Sequence, residues 1–240
     1  MRQPVIFDLY DTLVHSAKEE RDRVVGEMAV MVNVAPDALV TAYHDTWPDR
    51  MVRWNVEETV RILSARLGAN PTNEQVARAA EHRRALARRV LGAVPVATLD
   101  ALDSLRADGH PLALISNATS DTAEAWPSGP LAERFDVVLF SCDLGVAKPN
   151  AAIYRTAADR LGADPAHCVY VGDGADDELA GAAAVGLTTL RITELNNTDP
   201  SWPGPTLAAI GDLPALIRPR DDRQDHVGFG AGNDPRRYQA

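Results

Sequence analysis

Five short apolar segments are spaced along the chain, and most are followed by a polar turn and then by a segment with helical periodicity. The apolar segments cover residues 5–7, 112–115, 137–140, 168–171 and 188–192, and the helical candidates cover residues 98–108, 120–126, 150–162, 175–186 and 206–217. Apolar strands that alternate with helices are typical of a parallel sheet covered on both faces. The sequence therefore predicts an α/β fold, in which a ligand binds beyond the carboxyl ends of the strands.

Residues 16–92 interrupt this alternation with four amphipathic helical patterns, at 19–34, 36–47, 57–68 and 72–91. A helical block inserted directly after the first strand is placed to cover the end of that strand, so we interpret it as a lid. The alternative is a packed helical subdomain with no role at the site.

The predicted organisation has three parts. A core covers residues 1–15 and 93–218, a helical cap covers residues 16–92, and a C-terminal tail covers residues 219–240. The tail is polar and Gly-rich without periodicity, so we expect it to be mobile or loosely draped.

The composition limits the partners and the location of the protein. With 240 residues, 45% of them hydrophobic, the chain is long enough for one large domain or for a core with a smaller insert. A net charge of −10 argues against a nucleic-acid partner, which would need clustered Lys and Arg, but not against a small anion in one local positive site. No segment resembles a signal peptide or a membrane span. We expect a cytoplasmic monomer or homodimer in which Cys142 and Cys168 are reduced.

Asp8 and Asp173 each follow a predicted strand, so their side chains would project into the same crevice. Two carboxylates that meet there repel each other unless a cation lies between them, and an oxygen-rich site of this kind suits Mg²⁺. Three more acids, Asp176, Asp177 and Glu178, open the following helix, where the helix dipole alone also favours acidic residues. For Asp8 taken alone, a turn-capping role is the alternative to a nucleophile or metal ligand.

Two further polar features lie in the predicted loops, one after a strand and one before a helix. Ser116 and Asn117 offer a hydroxyl and backbone N–H groups that suit an anion, although Ser-Asn is also common turn chemistry. Lys148 precedes Pro149 at a predicted helix start, where a cation is unfavourable for the helix dipole. Lys148 therefore indicates a nearby anion or carboxylate cluster, and the alternative is a solvated loop lysine.

Taken together and in order, these four clusters resemble the haloacid dehalogenase superfamily of hydrolases. The resemblance rests on VIFDLYDTLV at residues 5–14, on Ser116-Asn117, on Lys148 and on VGDGADDELAGAAAVG at residues 171–186, and it covers residues 5 to 192. It implies a Rossmann-like sheet with a helical cap inserted after the first motif.

The resemblance also implies roles for individual residues. Asp8 would be a nucleophile that forms a covalent aspartyl intermediate, Ser116 and backbone groups near Asn117 would hold a phosphoryl oxygen, and Lys148 would bridge Asp8 and the transferred group. A Mg²⁺ site would be formed by Asp8, the backbone carbonyl of Tyr10 and Asp173, with Glu178 or Asp177 in support. Counting back from Gly186 favours Glu178 as the second acid.

The chain departs from the phosphatase pattern at Tyr10, where phosphatases of this superfamily usually carry a second Asp that protonates the leaving group. A phenol with a pKa of about 10 is a poor acid at neutral pH, and general acid–base help is typically worth about 10²–10⁴ in rate. Asp11 is one residue further along, where the superfamily usually has Gly. Asp11 would replace the missing acid if the turn aims it inward, but we expect a role in a surface turn.

Three functions fit this pattern. The preferred one is a Mg²⁺-dependent phosphatase of a small anionic metabolite. A 2-haloacid dehalogenase is the second, because those enzymes resemble this chain at Tyr10 and a halide leaves without a proton, although they work without metal and lack the acids of the last cluster. The third is a binding or regulatory protein that keeps the fold.

The cap contains a cluster that would receive part of a substrate, formed by Trp47, Arg50, Arg53 and Trp54. The alternative is ordinary helix–loop packing with solvated arginines.

Overall fold

The computed structural model describes residues 2–217, and a six-stranded parallel sheet forms the centre of this part of the chain. The strands are β1 (Val5–Phe7), β2 (Leu112–Ser116), β3 (Val137–Phe140), β4 (Val169–Gly172), β5 (Thr188–Ile192) and β6 (Thr206–Leu207). All five apolar segments form strands, each shifted by at most one residue at either end from the predicted limits. The α/β fold is therefore confirmed.

The sheet has the strand order β3-β2-β1-β4-β5-β6. From β1 the chain adds strands toward one edge, ending at β3, and from β4 it adds strands toward the opposite edge, ending at β6. Phe7 lies in register with Leu114 of β2 on one side and with Val171 of β4 on the other. The backbone N–H of Asp8 continues this pairing by donating to the carbonyl of Val171 at 2.9 Å. A reversal of strand order opens a crevice at the carboxyl ends of the two central strands, and Asp8 and Asp173 follow those ends.

Helices cover both faces of the sheet. They are α6 (Val96–Ala107), α7 (Ser120–Ala125), α8 (Ser141–Leu144), α9 (Ala151–Arg160), α10 (Glu178–Ala184) and α11 (Leu213–Ile217). Because side chains alternate along a strand, Val5 and Phe7 pack with α6 on one face, whereas Ile6 packs with α9 and α10 on the other. The core is thus three-layered, with a buried apolar cluster on each side of the sheet.

The helical block between β1 and α6 consists of five helices with an apolar cluster of their own. They are α1 (Lys18–Met31), α2 (Pro36–Asp45), α3 (Trp47–Arg50), α4 (Val56–Arg66) and α5 (Asn73–Gly92). Helices α4 and α5 begin with capping boxes, formed by Asn55 with Glu58 and by Thr72 with Gln75. These reciprocal hydrogen bonds satisfy N–H groups that the first helical turn leaves unpaired, and they explain why each helix begins there.

Helix α5 belongs to both apolar regions. Leu86 is part of the cap cluster, whereas Ala87 and Leu91, one residue and five residues later, are buried in the cluster beside the sheet. Arg83 of the same helix forms a buried ion pair with Asp121 of α7, with Nη1 and Oδ2 2.9 Å apart. The cap is therefore packed and ion-paired onto the core along α5.

Two helix predictions need correction. Residues 206–217 are not one helix, because Thr206 and Leu207 pair with Arg191 and Ile192 at the edge of the sheet before α11 begins. The helix predicted from 175 begins at Glu178, because Asp176 and Asp177 adopt positive φ angles of 54° and 56° that an α-helix excludes.

The sequence also led to expectations about the C-terminal tail, the two cysteines and membrane spans. The predicted tail at 219–240 lies outside the described residues. Cys142 and Cys168 are free, and they belong to apolar clusters on opposite faces of the sheet. Across residues 2–217, the helices lack the combination of length and apolar character that crossing a membrane requires.

Candidate active site

Asp8 is buried at the carboxyl end of β1, and its carboxylate is bound by the ammonium group of Lys148. Lys148 Nζ donates to Oδ1 of Asp8, whereas Oδ2 of Asp8 makes no hydrogen bond within the described residues. One oxygen of Asp8 is thus held by a cation, and the other is available to a ligand in the cavity that Asp8 lines.

Lys148 joins Asp8 to the helix that follows β4. Its Nζ also lies 2.5 Å from Oε2 of Glu178 and 3.2 Å from the hydroxyl of Tyr170, and that hydroxyl donates to Oε2 of Glu178 at 2.6 Å. Burial opposes the charged form of Lys148, but the neighbouring carboxylates of Asp8 and Glu178 raise the pKa of this lysine above its ordinary value. Lys148 is therefore a buried cation, as the carboxylate-cluster hypothesis requires, and not a solvated loop lysine.

Asn117 fixes the backbone of Lys148. Its Oδ1 accepts from the N–H of Lys148 at 2.8 Å, and its Nδ2 donates to the carbonyl of Lys148 at 3.1 Å and to Oδ2 of Asp176 at 3.0 Å. The side chain of Asn117 thus positions Lys148. The predicted role of backbone groups near Asn117 in holding an anion stays a prediction.

Ser116 is fully buried at the end of β2, and its hydroxyl oxygen has no hydrogen-bond partner within residues 2–217. A buried hydroxyl without a partner is costly, because burial removes its hydrogen bonds to water. An unsatisfied donor next to the end of β1 is compatible with the expected contact to an anion. Ser116 is not among the residues that line the cavity beside Asp8.

Three buried carboxylates meet at this point. Asp8, Asp173 and Glu178 each contribute an oxygen, and these oxygens lie within 4.8 Å of one another. Glu178 is held there by the N–H of Gly174, which donates to Oε1 at 3.0 Å, and by Tyr154, whose hydroxyl donates to the backbone carbonyl of Glu178 at 2.8 Å. Asp177 does not join this group, because its backbone has a left-handed conformation and its side chain is exposed.

The charge in this group exceeds what Lys148 can neutralise. The pKa of Asp8 is raised to about 8, mainly by burial; Lys148 lowers it, and the charges of Glu178 and Asp173 contribute to the increase. Burial also raises the pKa of Asp173. An all-oxygen set of carboxylates with surplus negative charge fits a hard divalent cation such as Mg²⁺. The participation of the Tyr10 carbonyl in such a site stays a prediction.

The side chain of Tyr10 lines the cavity and is turned toward α7. Its hydroxyl shares a 2.7 Å hydrogen bond with Oγ1 of Thr122. Burial and the charge of Asp121 raise the pKa of Tyr10 to about 12, and the contacts to Thr122 and Arg83 do not offset this. Tyr10 is therefore a still weaker acid here than a phenol in water.

Asp11 is not the surface residue that we expected. It is buried, lines the cavity and has a φ of 58°, a left-handed conformation that glycine adopts most readily. Its Oδ1 accepts from the N–H of Ser16 at 2.9 Å, and its Oδ2 lies 3.3 Å from Nδ2 of Asn196 and 3.5 Å from Nζ of Lys18. Both oxygens of Asp11 are thus bound by protein groups.

The segment after β5 reaches the site, and the sequence did not indicate this. Thr198 donates a hydrogen bond from its hydroxyl to Oδ2 of Asp173, and the amide of Asn196 donates to Thr198 at 3.0 Å as well as to Asp11. These contacts connect residues up to 185 positions apart in sequence. A polar run such as Asn196–Asn197–Thr198 looks like ordinary loop composition in a sequence.

A cavity of about 390 Å³ lies between the cap and the core, beside Asp8. Its core wall carries the acids Asp8, Asp11, Asp173 and Asp176, and its cap wall carries Lys18, Arg21, His44, Arg50 and Arg83. This volume suits a small metabolite. In the aromatic–arginine cluster of the cap, Trp47 and the buried Arg50 line the cavity, whereas Arg53 and Trp54 do not.

The family is shown by comparison with known proteins. Residues 5–185 match the family model for haloacid dehalogenase-like hydrolases. The chain belongs to this hydrolase family.

Individual relatives carry two different activities. The chain is 30% identical to (S)-2-haloacid dehalogenase 4A of Burkholderia cepacia over 209 residues, covering 80% of this chain and 83% of the relative. It is 29% identical to phosphoglycolate phosphatase of Escherichia coli O157:H7, covering 92% and 95% of the two chains. A solved structure of a predicted HAD-like family hydrolase from Porphyromonas gingivalis superposes with a TM-score of 0.66 at 26% identity, covering 92% of this chain and all (100%) of the other.

Proposed function

We propose that this hydrolase is a Mg²⁺-dependent phosphatase that cleaves the phosphate ester of a small anionic metabolite through an aspartyl phosphate on Asp8. The observation that carries this proposal is the meeting of Asp8, Asp173 and Glu178 in one buried group with surplus negative charge. Displacement of a halide by a carboxylate does not need such a group. Phosphatases among the relatives, including phosphoglycolate phosphatase and the glyceraldehyde 3-phosphate phosphatase of Methanopyrus kandleri, add support.

Asp8 is the nucleophile in this mechanism. Its unbound Oδ2 attacks phosphorus, a new P–O bond forms, and the bond from phosphorus to the ester oxygen breaks. Attack of water on the aspartyl phosphate then releases inorganic phosphate and regenerates the carboxylate. When bound at the three carboxylates, Mg²⁺ would neutralise charge on the phosphoryl group.

Other residues hold the nucleophile and the phosphoryl group. Lys148 keeps Asp8 in place through Oδ1, and Asn117 holds the backbone of Lys148. The hydroxyl of Ser116 has no partner among the described residues and does not itself line the cavity, and it would donate to a phosphoryl oxygen that reaches the end of β2. Such preorganised donors are effective because they act in a site from which water is excluded.

The leaving group of the substrate determines how fast this site can cleave a phosphate ester. An alkoxide needs a proton when it leaves, and Tyr10, with its pKa raised to about 12, is a weak source of one. A substrate whose leaving group is stable without a proton therefore reacts most readily. We propose that Tyr10 makes this enzyme selective for such leaving groups or slow on simple alkyl phosphates.

A second candidate is a 2-haloacid dehalogenase. Tyr10 and the similarity to (S)-2-haloacid dehalogenase 4A favour it, because a halide leaves as a stable anion and needs no acid. In that reaction Oδ2 of Asp8 would attack the carbon that carries the halogen, and the halide would leave with the bonding electrons.

One set of assays separates the two candidates. The purified protein is given a panel of small phosphate esters with Mg²⁺ or with EDTA, and 2-haloacids with EDTA, with Asp8→Asn as the control in each case. Phosphate release that requires Mg²⁺ and Asp8 supports the proposal. Halide release without metal, together with no phosphate release, establishes the dehalogenase instead.

A further inference from the structure

The cap wall of the cavity is basic, although the protein as a whole carries a net charge of −10. Most of the cationic side chains on this wall have acidic partners. Arg83 is paired with Asp121 at 2.9 Å, Lys18 lies 3.5 Å from Asp11, and Arg21 lies 3.5 Å from Asp22. Arg50 differs from them, because no carboxylate within residues 2–217 lies in ion-pair distance of its guanidinium group.

Arg50 is held rigidly despite this missing partner. Its Nε and Nη2 donate to the carbonyl of Tyr43 at 3.1 and 2.7 Å, and its guanidinium carbon lies 3.5 Å from the centroid of the Tyr43 ring and 5.3 Å from that of Trp47. The remaining nitrogen, Nη1, makes no hydrogen bond with any described residue. Arg50 thus presents an unused donor in a fixed position on the wall of the cavity.

The burial of Arg50 is costly without an anion. The residue is 3% exposed, and burial is the main cause that lowers the pKa of Arg50; Arg83 acts in the same direction, and Tyr43 and Asp121 act against it. Buried guanidinium groups are normally paired, because removal of a charge from water is expensive. A ligand anion at Nη1 would supply the missing partner.

We propose that Arg50 binds a carboxylate of the substrate, so that the site takes small phosphate monoesters that carry a carboxylate as a second anionic group. This inference rests on the proposed phosphatase function and adds the substrate class. One uncompensated guanidinium matches the single charge of a carboxylate, whereas a second phosphate would carry more charge than Arg50 alone neutralises. The substrate would lie with its phosphoryl group toward the acidic core wall and its carboxylate toward the cap.

Binding of unreactive phosphonates tests this substrate class without turnover. Calorimetric titration in Mg²⁺ compares phosphonoacetate with acetonylphosphonate, which has a methyl ketone in place of the carboxylate. We expect phosphonoacetate to bind about 10- to 100-fold more tightly in the natural protein, the usual worth of a charge-assisted hydrogen bond. Equal binding of the two probes would overturn the proposal, whatever any variant does.

Substitutions of Arg50 test whether this residue causes the preference for phosphonoacetate. Arg50→Met should remove the preference for phosphonoacetate, and Arg50→Lys, which keeps the charge without the planar donor group, should retain part of it. Arg53→Met is the matched control, since Arg53 is three residues along, has a 73% exposed side chain paired with Asp49 and does not line the cavity. If a folded Arg50→Met protein still prefers phosphonoacetate, Arg50 is not the residue that binds the carboxylate. If the natural protein instead prefers methylenebisphosphonate over phosphonoacetate and this preference depends on Arg50, the second anionic group is a phosphate and the proposal is also wrong.

Failure of the phosphatase proposal gives a different result. If neither phosphonate binds in Mg²⁺, the phosphoryl site is wrong, and lactate and its uncharged analogue lactamide then test Arg50 on their own. Lactate binding that exceeds lactamide binding and disappears in Arg50→Met supports the carboxylate site. Absence of any such difference overturns it.

Discussion

A carboxylate oxygen of Glu178 occupies the space that a side chain on Gly172 would need. A Cβ atom on residue 172 would lie 2.1 Å from Oε1 of Glu178 and 2.8 Å from its carboxyl carbon. Since Glu178 is fixed from the other side by Lys148 and Tyr170, it has no room to retreat without breaking those contacts. The three-carboxylate group therefore requires a glycine at position 172, at the end of β4.

We predict that Gly172→Ala displaces Glu178 and weakens Mg²⁺ binding. Changes next to metal ligands typically cost about 10- to 100-fold in metal affinity, and we expect a loss in that range by calorimetry. Gly92→Ala is the control, because a Cβ there would meet no atom within 4 Å. Unchanged metal affinity in Gly172→Ala would remove Glu178 from the metal site.

The two lysines of the chain should differ sharply in their effect on stability. Lys148→Met leaves Asp8 and Glu178 buried without their cation, and loss of one partner from a buried ion pair typically costs about 3–5 kcal/mol. Lys18, with a side chain that is 58% exposed, lies 3.5 Å from Asp11, and Lys18→Met should cost less than about 1 kcal/mol. Urea unfolding without metal measures both, and equal losses would contradict the central role of Lys148.

Tyr10→Asp should speed cleavage of an alkyl phosphate by about 10-fold or more, since a positioned carboxylic acid is usually worth at least that much. Formation of the aspartyl phosphate from an activated aryl phosphate should change much less, because that leaving group needs no proton. Single-turnover kinetics are required, so that slow breakdown of the intermediate does not hide the difference.

Two control variants accompany this prediction. Tyr10→Phe removes the hydroxyl that contacts Thr122 and should leave alkyl-phosphate cleavage unchanged. Asp11→Asn tests a displaced acid. Loss of alkyl-phosphate cleavage in Asp11→Asn, together with no gain in Tyr10→Asp, would show that Asp11 is the acid and that our interpretation of Tyr10 is wrong.

Thr198→Val should weaken Mg²⁺ binding without unfolding the protein. The hydroxyl of Thr198 donates to Asp173 and so orients a proposed metal ligand, and removal of such contacts typically lowers metal affinity by about 10-fold or more. Thr156→Val is a suitable control, since the Thr156 hydroxyl bonds to Ala152 of its own helix at 2.8 Å. Equal metal affinities for the two variants would mean that Thr198 has no part in the site.

Much of this site was predictable because it depends on strand ends. Asp8 and Asp173 follow apolar segments, and parallel strands bring their carboxyl ends to one edge of the sheet. Counting back from Gly186 along the superfamily motif favours Glu178 over Asp177, and the buried location of Glu178 agrees with this match. Local pattern is sufficient where backbone geometry decides which side chains meet.

The remaining features depend on contacts that local pattern does not encode. Asp11 looked like a surface turn residue, because neither Asn196 nor Lys18 can be assigned to it from sequence. Residues 206–217 looked helical because Thr206 and Leu207 are too short a strand to show alternation, and their pairing with β5 decides their structure. Long-range pairing overrode local propensity at both places.

Helix α5 gives the molecule a property that neither apolar region has alone. Its Leu86 belongs to the cap, its Ala87 and Leu91 belong to the core, and its Arg83 is tied to Asp121. Loosening of the cap would expose apolar surface of the core and leave a buried carboxylate unpaired. The two regions should therefore melt in one cooperative transition, and a fragment that contains the cap alone should be prone to aggregation.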